Sequence, residues 1–336
     1  MGVFVIAEAG VNHNGNLETA LSLVDAAINS KCDAVKFQTF KAEKLVTKKV
    51  SKACYQVENT CKKGTQFDML KRLELGYDEH RTLFMYCRQK GICFMSTPFD
   101  EESADMLDEL GMELFKIPSG EIINKPFIKH IAMKKKPIIL STGMSTLAEV
   151  EEAVEWIYEE GNRELALLHC TSCYPAQYKD VNLKAIRTLI DRFDLKTGYS
   201  DHTLGTEVAI GAVALGAQII EKHITLDRTM EGPDHKCSLE PSELGQMVCA
   251  IRNLEQAVGD GEKKPVENEF EIRNLARKYI IAGKNIYAGQ RIDMDMLQIK
   301  RSGGGIDPKH VDRIVGAIAA RDIEEGVSIK EKDFYS

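Results

Sequence analysis

Eight short apolar runs recur along the chain, each ending in polar or small residues and each followed by a stretch of helical periodicity. They are VFVIAEAG (3–10), AVKFQTF (34–40), ICFMSTPF (92–99), LFKIPSGE (114–121), PIILSTGM (137–144), LALLHCTS (165–172), KTGYSDHT (196–203) and QIIEKHIT (218–225). Strands that alternate with helices pair in parallel. Eight such units close a (β/α)8 barrel of about 250 residues, and the chain has 336. The expected fold class is therefore α/β: a (β/α)8 TIM barrel followed by a smaller β-rich domain.

The intervening helices are legible. Leu21, Val24 and Ile28 share one face of a helix expected over 17–30. Asp100 is placed to cap a helix over 101–110, and Ser145 to cap one over 147–158. Residues 41–80 exceed what one unit needs, so 41–64 is expected to form an elaborated loop over the barrel mouth. After a last helix over 243–258, the polar GDGEKKP (259–265) reads as a linker. The tail YIIAGKNIYAGQRIDMDMLQIKR has short strand-like runs with Gly turns, and IAARDIEEGVSI repeats the pattern. The expected domains are a barrel over 1–260, a linker over 261–278 and a small β domain over 279–336. A domain of about 55 residues has little core of its own unless it docks on something.

Composition narrows the function classes. The formal net charge of −7 argues against a nucleic-acid partner but leaves room for a local basic cluster that binds a small anion. No apolar run approaches the roughly 18 residues of a membrane span, so no membrane partner is expected. The opening MGVFVIAEAG has no charged region ahead of its apolar stretch and reads as a first strand, not a signal peptide. Ile6 stands where a myristoylation signal needs Ser or Thr. Nine cysteines scattered in apolar surroundings suit reduced thiols in the cytoplasm. The single CxxC, Cys170 to Cys173, lacks a second pair and reads as strand-end packing.

Barrel active sites lie at the C-terminal strand ends. Those ends carry Glu8, Asn12 and His13; Lys36 and Gln38; Ser96 and Thr97; Lys116, Ser119 and Glu121; Ser141 and Thr142; His169, Thr171, Ser172 and Tyr174; Ser200, Asp201 and His202; Glu221 and His223. Chance polar endings would favour turn formers over Lys, Glu and His. Side chains at i and i+2 share a face, and neighbouring strands lie roughly 4.8 Å apart. His202 and His223 can therefore meet across one divalent metal ion, with Glu221 supporting His223. A lone histidine here would more often be a satisfied core residue; the pair favours a metal. Two imidazoles with open positions suit Mn2+ or Mg2+ more than closed structural zinc. Lys36 and Lys116, each flanked by apolar residues, join Thr97, Ser119 and Ser200 in an anion site for phosphate or carboxylate. Ion pairing of these lysines with Glu8 and Glu121 is the competing account.

The motifs IAEAGVNHNGN, VKFQTFKA, STPFD, FKIPSGE, ILSTGM, LHCTSCYP, GYSDHT, EKHITLD and GPDH follow in order, and KRSGGGIDP stands in the tail. Together they resemble the sialic acid synthase family, whose members condense phosphoenolpyruvate with an acylamino sugar and carry a C-terminal SAF (antifreeze-like) domain. The resemblance implies phosphoenolpyruvate held by Lys36, Thr97, Lys116, Ser119, Ser172 and Ser200. It implies a divalent metal, Mn2+ first and Mg2+ second, on His202 and His223. It places the sugar against Gln38, Glu121, Tyr174, Asp234 and Arg301, with Arg301 supplied by the partner of a domain-swapped homodimer. Glu8 matches the catalytic carboxylate, and Lys36 and Tyr174 stand beside the reacting groups. The implied product is N-acetylneuraminate from N-acetylmannosamine, or alternatively N,N'-diacetyllegionaminate from 2,4-diacetamido-2,4,6-trideoxymannose. Phosphate leaves by C–O cleavage in either case. Two departures stand out: Ser172 where some members have Asn, and Ser302 where the arginine loop often has Pro. The rival chemistry is a class I aldolase with Lys36 or Lys116 as Schiff base; a non-catalytic sugar binder on the same fold is the remaining alternative.

Overall fold

The computed structural model describes residues 2–60 and 64–335, except the side chain of Cys54. Met1, where the start-site readings begin, residues 61–63 of the expected mouth loop, and Ser336 lie outside the described residues. The chain divides into two compact units, Met1–Gly259 and Asp260–Ser336.

All eight apolar runs form strands: β1 Phe4–Gly10, β2 Ala34–Thr39, β3 Cys93–Pro98, β4 Phe115–Ile117, β5 Ile138–Ser141, β6 Leu165–Cys170, β7 Lys196–Asp201 and β8 Ile219–His223. They make one parallel sheet in the order β3-β2-β1-β8-β7-β6-β5-β4, with β3 and β4 adjacent in space at the seam of the barrel. Inside the barrel each strand changes character along its inward face, at steps of two residues. Ile6, Ala34, Met95, Ile139, Ala166, Leu168 and Ile219 fill the lower interior as a buried apolar plug. Two residues further along come Glu8, Lys36, Thr97, Ser141, Cys170 and Glu221. The outward face is apolar and packs under the helices, with Val5, Val35, Phe37, Phe115, Leu167 and Ile220 in the main core. Full burial of such side chains is worth about 1.5–3 kcal/mol each.

Helix Leu17–Asn29 buries Ala20, Leu23, Val24 and Ala27 and is capped by Asn16. Asp100 caps Glu101–Glu109 as expected, accepting from the Ser103 amide. The cap of Leu147–Glu159 is Thr146, not Ser145: Thr146 and Glu149 form a reciprocal capping box, while the Ser145 hydroxyl donates to the Gly143 carbonyl. The stretch after β2 holds helices Ala42–Leu45, Cys54–Thr60 and Gln66–Leu73. Met69 and Leu73 join Val11 and Phe40 in a small apolar cluster of their own.

In the second unit, the segment expected as linker contains helix Glu269–Ala276. Beyond it, β9 Tyr279–Ala282 pairs antiparallel with β10 Leu297–Lys300, and β11 Ile318–Ala319 with β12 Phe334–Tyr335. Ile280, Ile286, Ile292, Ile314, Ile323 and Ile329 form its buried centre. Among the described residues no helix is long and apolar enough to cross a membrane.

Candidate active site

The polar upper interior opens into a cavity of about 500 Å³. Glu8, Lys36, Gln38, Thr97, Lys116, Ser119, Ser172, Tyr174, Ser200, His202, His223 and Asp234 all line it, and Ser141 at the tip of β5 joins these twelve. A larger cavity of about 710 Å³ lies at the opposite strand ends. Its charged residues Arg163, Glu164, Asp194 and Lys196 are all exposed, so nothing there converges on a ligand.

At the centre is a buried charge network. Lys36 Nζ lies 2.6 Å from Glu8 Oε2 and donates to Thr97 Oγ1 at 2.9 Å. Glu221 sits between the lysines, 3.6 Å from Lys36 and 3.6 Å from Lys116. Glu221 Oε1 also accepts from Ser200 at 2.9 Å, and Glu8 Oε1 accepts from Gln38 at 3.2 Å. Burial pushes Glu221 up, but the two lysines outweigh it and hold this carboxyl at about 2. Burial wins at Glu8, which is raised despite Lys36, partly because Glu221 is already charged. Burial pulls Lys116 down, and Glu221 offsets this only in part. Lys36, with two carboxylate neighbours, is raised instead. Among the described residues Lys36 meets both carboxylates but Lys116 meets Glu221 alone at 3.6 Å, which makes Lys116 the less neutralised ammonium and the one an incoming phosphate or carboxylate would pair with.

Beside Lys116 a small cup is formed by Ser119, Cys170 and Ser172. Ser119 Oγ accepts from the Gly143 amide at 2.9 Å and lies 3.2 Å from Cys170 Sγ. A Cβ on Gly143 would lie 2.4 Å from Ser172 Oγ and 2.6 Å from Cys170 Sγ, so no larger residue fits there.

The two histidine rings are 5.6 Å apart, centroid to centroid, and inclined by 53°. His202 Nδ1 lies 2.8 Å from the Thr171 carbonyl, which fixes its proton on Nδ1 and leaves Nε2 as a lone pair. His223 Nδ1 is buried without a hydrogen-bond partner. Burial lowers both rings, and for His223 the neighbouring His202 adds to it, so both are neutral at physiological pH. A neutral pair with an orphaned ring nitrogen fits a divalent ion. Among the described residues no three His, Cys, Asp or Glu side chains gather at one point, so the rest of such an ion's shell falls to substrate or water.

Tyr174 covers the rings, 4.3 Å from His202, and stacks on Tyr55 at 5.4 Å. Burial and then Asp234 push its hydroxyl well up. Asp234 itself is pushed up to about 7 by burial and by Glu8. Of the remaining expected residues, Glu121 stands outside the cavity lining and accepts from Asn124 at 2.6 Å. Arg301 is exposed on the loop after β10 in the second unit.

Several strand-tip residues turn elsewhere. Asn12 donates to the Ile224 carbonyl and to Ser238, and His169 lies 2.6 Å from the Val181 carbonyl. His13 is buried against Phe37. Asp201 faces away from the cavity, toward Lys222. Conversely, the cavity gains a wall that the sequence reading did not resolve: Tyr55, Gln56, Met69, Leu70 and Leu73 from the stretch after β2. The available signal was Thr65-x-x-Asp68, a capping box ahead of Met69, Leu70 and Leu73.

Comparison with known proteins identifies the family. The NeuB family matches residues 23–263, and the SAF domain matches residues 277–334. An N,N'-diacetyllegionaminic acid synthase of Legionella pneumophila is 49% identical, covering 98% of this chain and 94% of that protein. A protein of the same name from Campylobacter jejuni is 46% identical, covering 97% and 98%. The crystal structure of an N-acetylneuraminic acid (sialic acid) synthetase from Leptospira borgpetersenii superimposes with a TM-score of 0.74 at 37% identity, covering 82% of this chain and 92% of that one.

Proposed function

The chain belongs to the NeuB family, and on that premise we propose that it is a phosphoenolpyruvate-dependent condensing synthase making a nonulosonic acid of the N,N'-diacetyllegionaminate type. One observation carries the reading: a single cavity joins a two-lysine, two-carboxylate network to a pair of neutral imidazoles. An anionic enol substrate fits the first half, and a sugar aldehyde beside a divalent ion fits the second.

In this reading Lys36, Thr97, Lys116, Ser119, Ser172 and Ser200 hold the phosphate and carboxylate of phosphoenolpyruvate. Its C3 attacks the aldehyde of the open-chain sugar, water adds at C2, and phosphate leaves with the C–O bond broken. Lys116, lowered by burial, is stabilised as an ammonium by the phosphate charge and again as that charge grows on the leaving group. Glu8, raised by burial, takes the proton of the attacking water at its carboxylate while Lys36 orients it. A divalent ion held by His202 and His223, Mn2+ first and Mg2+ as the alternative, would supply Lewis-acid polarisation of the aldehyde. Gln38, Tyr174 and Asp234 orient the sugar, and Asp234 holds a proton near neutral pH that can be donated to it.

Two things favour the legionaminate-type sugar over N-acetylmannosamine. The two relatives at 49% and 46% identity carry that name. The wall of Val11, Met69, Leu70, Leu73 and Phe99 suits the methyl groups of a 6-deoxy, diacetamido sugar. The exposed Phe270, Ile272 and Leu275 of helix Glu269–Ala276, and the exposed mouth residues Ile123, Met144, Tyr178 and Leu204, support a domain-swapped homodimer in which the partner's Arg301 reaches the sugar's acyl group. Seven cysteines that are free among the described residues support a cytoplasmic setting.

The test is phosphate release from phosphoenolpyruvate with Mn2+, comparing 2,4-diacetamido-2,4,6-trideoxymannose with N-acetylmannosamine, with and without EDTA. Chelator-sensitive release dominated by the diacetamido sugar is expected. Dominance of N-acetylmannosamine would make the enzyme an N-acetylneuraminate synthase, and release indifferent to EDTA would remove the metal from the reaction.

A further inference from the structure

Asp201 and Lys222 are a buried ion pair in an unexpected place. They are direct register partners on β7 and β8, and both side chains are completely inaccessible. Their neighbours Ser200 and Glu221 point into the cavity, so Asp201 and Lys222 point the other way, into the layer between sheet and helices. Apolar side chains fill that layer elsewhere. A buried ion pair there gives little net stability over a hydrophobic pair of the same volume. Its retention calls for another reason, and its position supplies one: each member immediately precedes a histidine that faces the cavity.

The hydrogen bonds are specific. Lys222 Nζ donates to Asp201 Oδ2 at 2.7 Å and to the Thr203 carbonyl at 2.6 Å. Asp201 Oδ1 accepts from the Thr203 amide at 2.9 Å and the Thr203 hydroxyl at 2.8 Å. The residues on both sides of His202 are thereby tied to each other and to β8. The His202 carbonyl in turn accepts from the Ala176 amide at 2.9 Å, and its ring is held at the Thr171 carbonyl at 2.8 Å. On the other strand the His223 carbonyl accepts from the Leu239 amide at 2.9 Å. Lys222 links the turn carrying His202 to the strand carrying His223 from behind the wall.

We propose that Asp201 and Lys222 are positioning residues: a clamp behind the barrel wall that sets the separation and tilt of the His202 and His223 rings for a divalent ion. The inference rests on the metal role proposed above for these rings. The clamp touches neither substrate nor ion. It acts on the spacing of two strand tips, and losses of this kind lower metal affinity by about 10–100-fold in known sites.

The experiment compares the full-length wild type with Asp201→Asn and with Asp201→Asn/Lys222→Met. The double variant deletes the link to β8 but keeps an amide oxygen for the Thr203 amide and hydroxyl. Asp201→Asn alone keeps Lys222 tied to the Thr203 carbonyl and serves as the conservative variant. Mn2+ binding is read by electron paramagnetic resonance of the free ion, and ring 15N shifts of the histidines are read in metal-free protein. The double variant is expected to fold, to bind Mn2+ at least tenfold more weakly, and to move the His202 and His223 shifts while leaving His80 in place. Asp201→Asn is expected to stay within about threefold of wild type, short of the roughly 10–100-fold loss that follows a broken outer-shell contact. A folded double variant with Mn2+ affinity within twofold of wild type and unmoved ring shifts overturns the proposal. So does a double variant that cannot fold, since the pair would then serve the fold and not the rings. If wild type binds no Mn2+ while the ring shifts still move in the double variant, the clamp stands and the metal reading falls.

Discussion

Replacing Glu221 by Gln should trade stability for anion affinity. In the protein Glu221 faces two ammonium groups at 3.6 Å each, inside a wall where its side chain is 5% exposed. At an effective dielectric near 20, each contact is worth roughly 4–5 kcal/mol in Coulomb energy before desolvation is subtracted. Breaking a buried pair by removing one partner typically costs about 3–5 kcal/mol. For a unit spanning Met1–Gly259, an unfolding entropy of about 2.1 cal/mol/K per residue turns that cost into a Tm lower by about 6–9 °C. Glu221 also competes with any anion for the same lysines, so its removal should tighten inorganic phosphate by at least tenfold, about 1.4 kcal/mol. The measurement is thermal unfolding of wild type and Glu221→Gln with and without phosphate, run at pH 6.5, because burial already pulls Lys116 down and loss of Glu221 pulls it further. Phosphate should raise the variant's Tm by more than it raises that of wild type. A variant that melts within 2 °C of wild type, or that gains no more from phosphate, would refute the charge-balance argument.

His202→Ala and His223→Ala should each abolish EDTA-sensitive turnover while leaving phosphate-induced stabilisation intact, which calorimetric binding and melting curves can check together. Gly143→Ala would place a methyl 2.4 Å from Ser172 Oγ and 2.9 Å from Ser119 Oγ, so KM for phosphoenolpyruvate should rise about tenfold or more, the size of one lost charge-assisted contact, with far less effect on the KM for sugar. Burial holds His235 at about 4 in the folded protein, against an ordinary 6.5. The folded state therefore takes up the proton later than the unfolded one, and the stability it contributes is present above pH 6.5 and lost as pH falls toward 4. The stability difference between wild type and His235→Gln should shrink by up to about 3 kcal/mol over that window in urea titrations; a pH-independent difference would mean the ring is not buried as a neutral group.

Much of this was readable from sequence because two periodicities reinforce each other. A strand that must be apolar on its outer face, apolar at its inner base and polar at its inner tip writes a pattern such as Ala34, Lys36, Gln38 or Ile219, Glu221, His223. All eight strands follow it closely enough to be placed within a few residues. Facing was harder to read. Asn12, His13, His169 and Asp201 stand at the same strand ends as the cavity residues, but each meets backbone or side-chain partners outside the cavity. Asn12 and His13 lie beyond the end of β1, where the two-residue alternation no longer fixes direction, whereas His169 and Asp201 lie within β6 and β7, where the alternation itself turns them away from the cavity. The stretch after β2 was invisible in detail for another reason: its side chains meet the barrel through tertiary contacts, such as Tyr55 on Tyr174 and Asn59 on the Pro233 carbonyl, that no local pattern encodes.

The same alternation explains why the polar half of the barrel can exist. The upper interior holds Glu8, Lys36, Lys116 and Glu221 almost wholly out of water. An uncompensated charge there would cost several kcal/mol. The strands tolerate it because the charges nearly cancel and because the apolar face behind them and the plug below them hold their spacing. Outward, the wall also admits the ion pair of Asp201 and Lys222, at the two strand tips that carry the imidazoles. A site that must bind an anion and an aldehyde in turn has to remain short of neutral until substrate arrives. The depressed Lys116 and the raised Glu8 record that imbalance, with Glu221 holding it in check from between the two lysines.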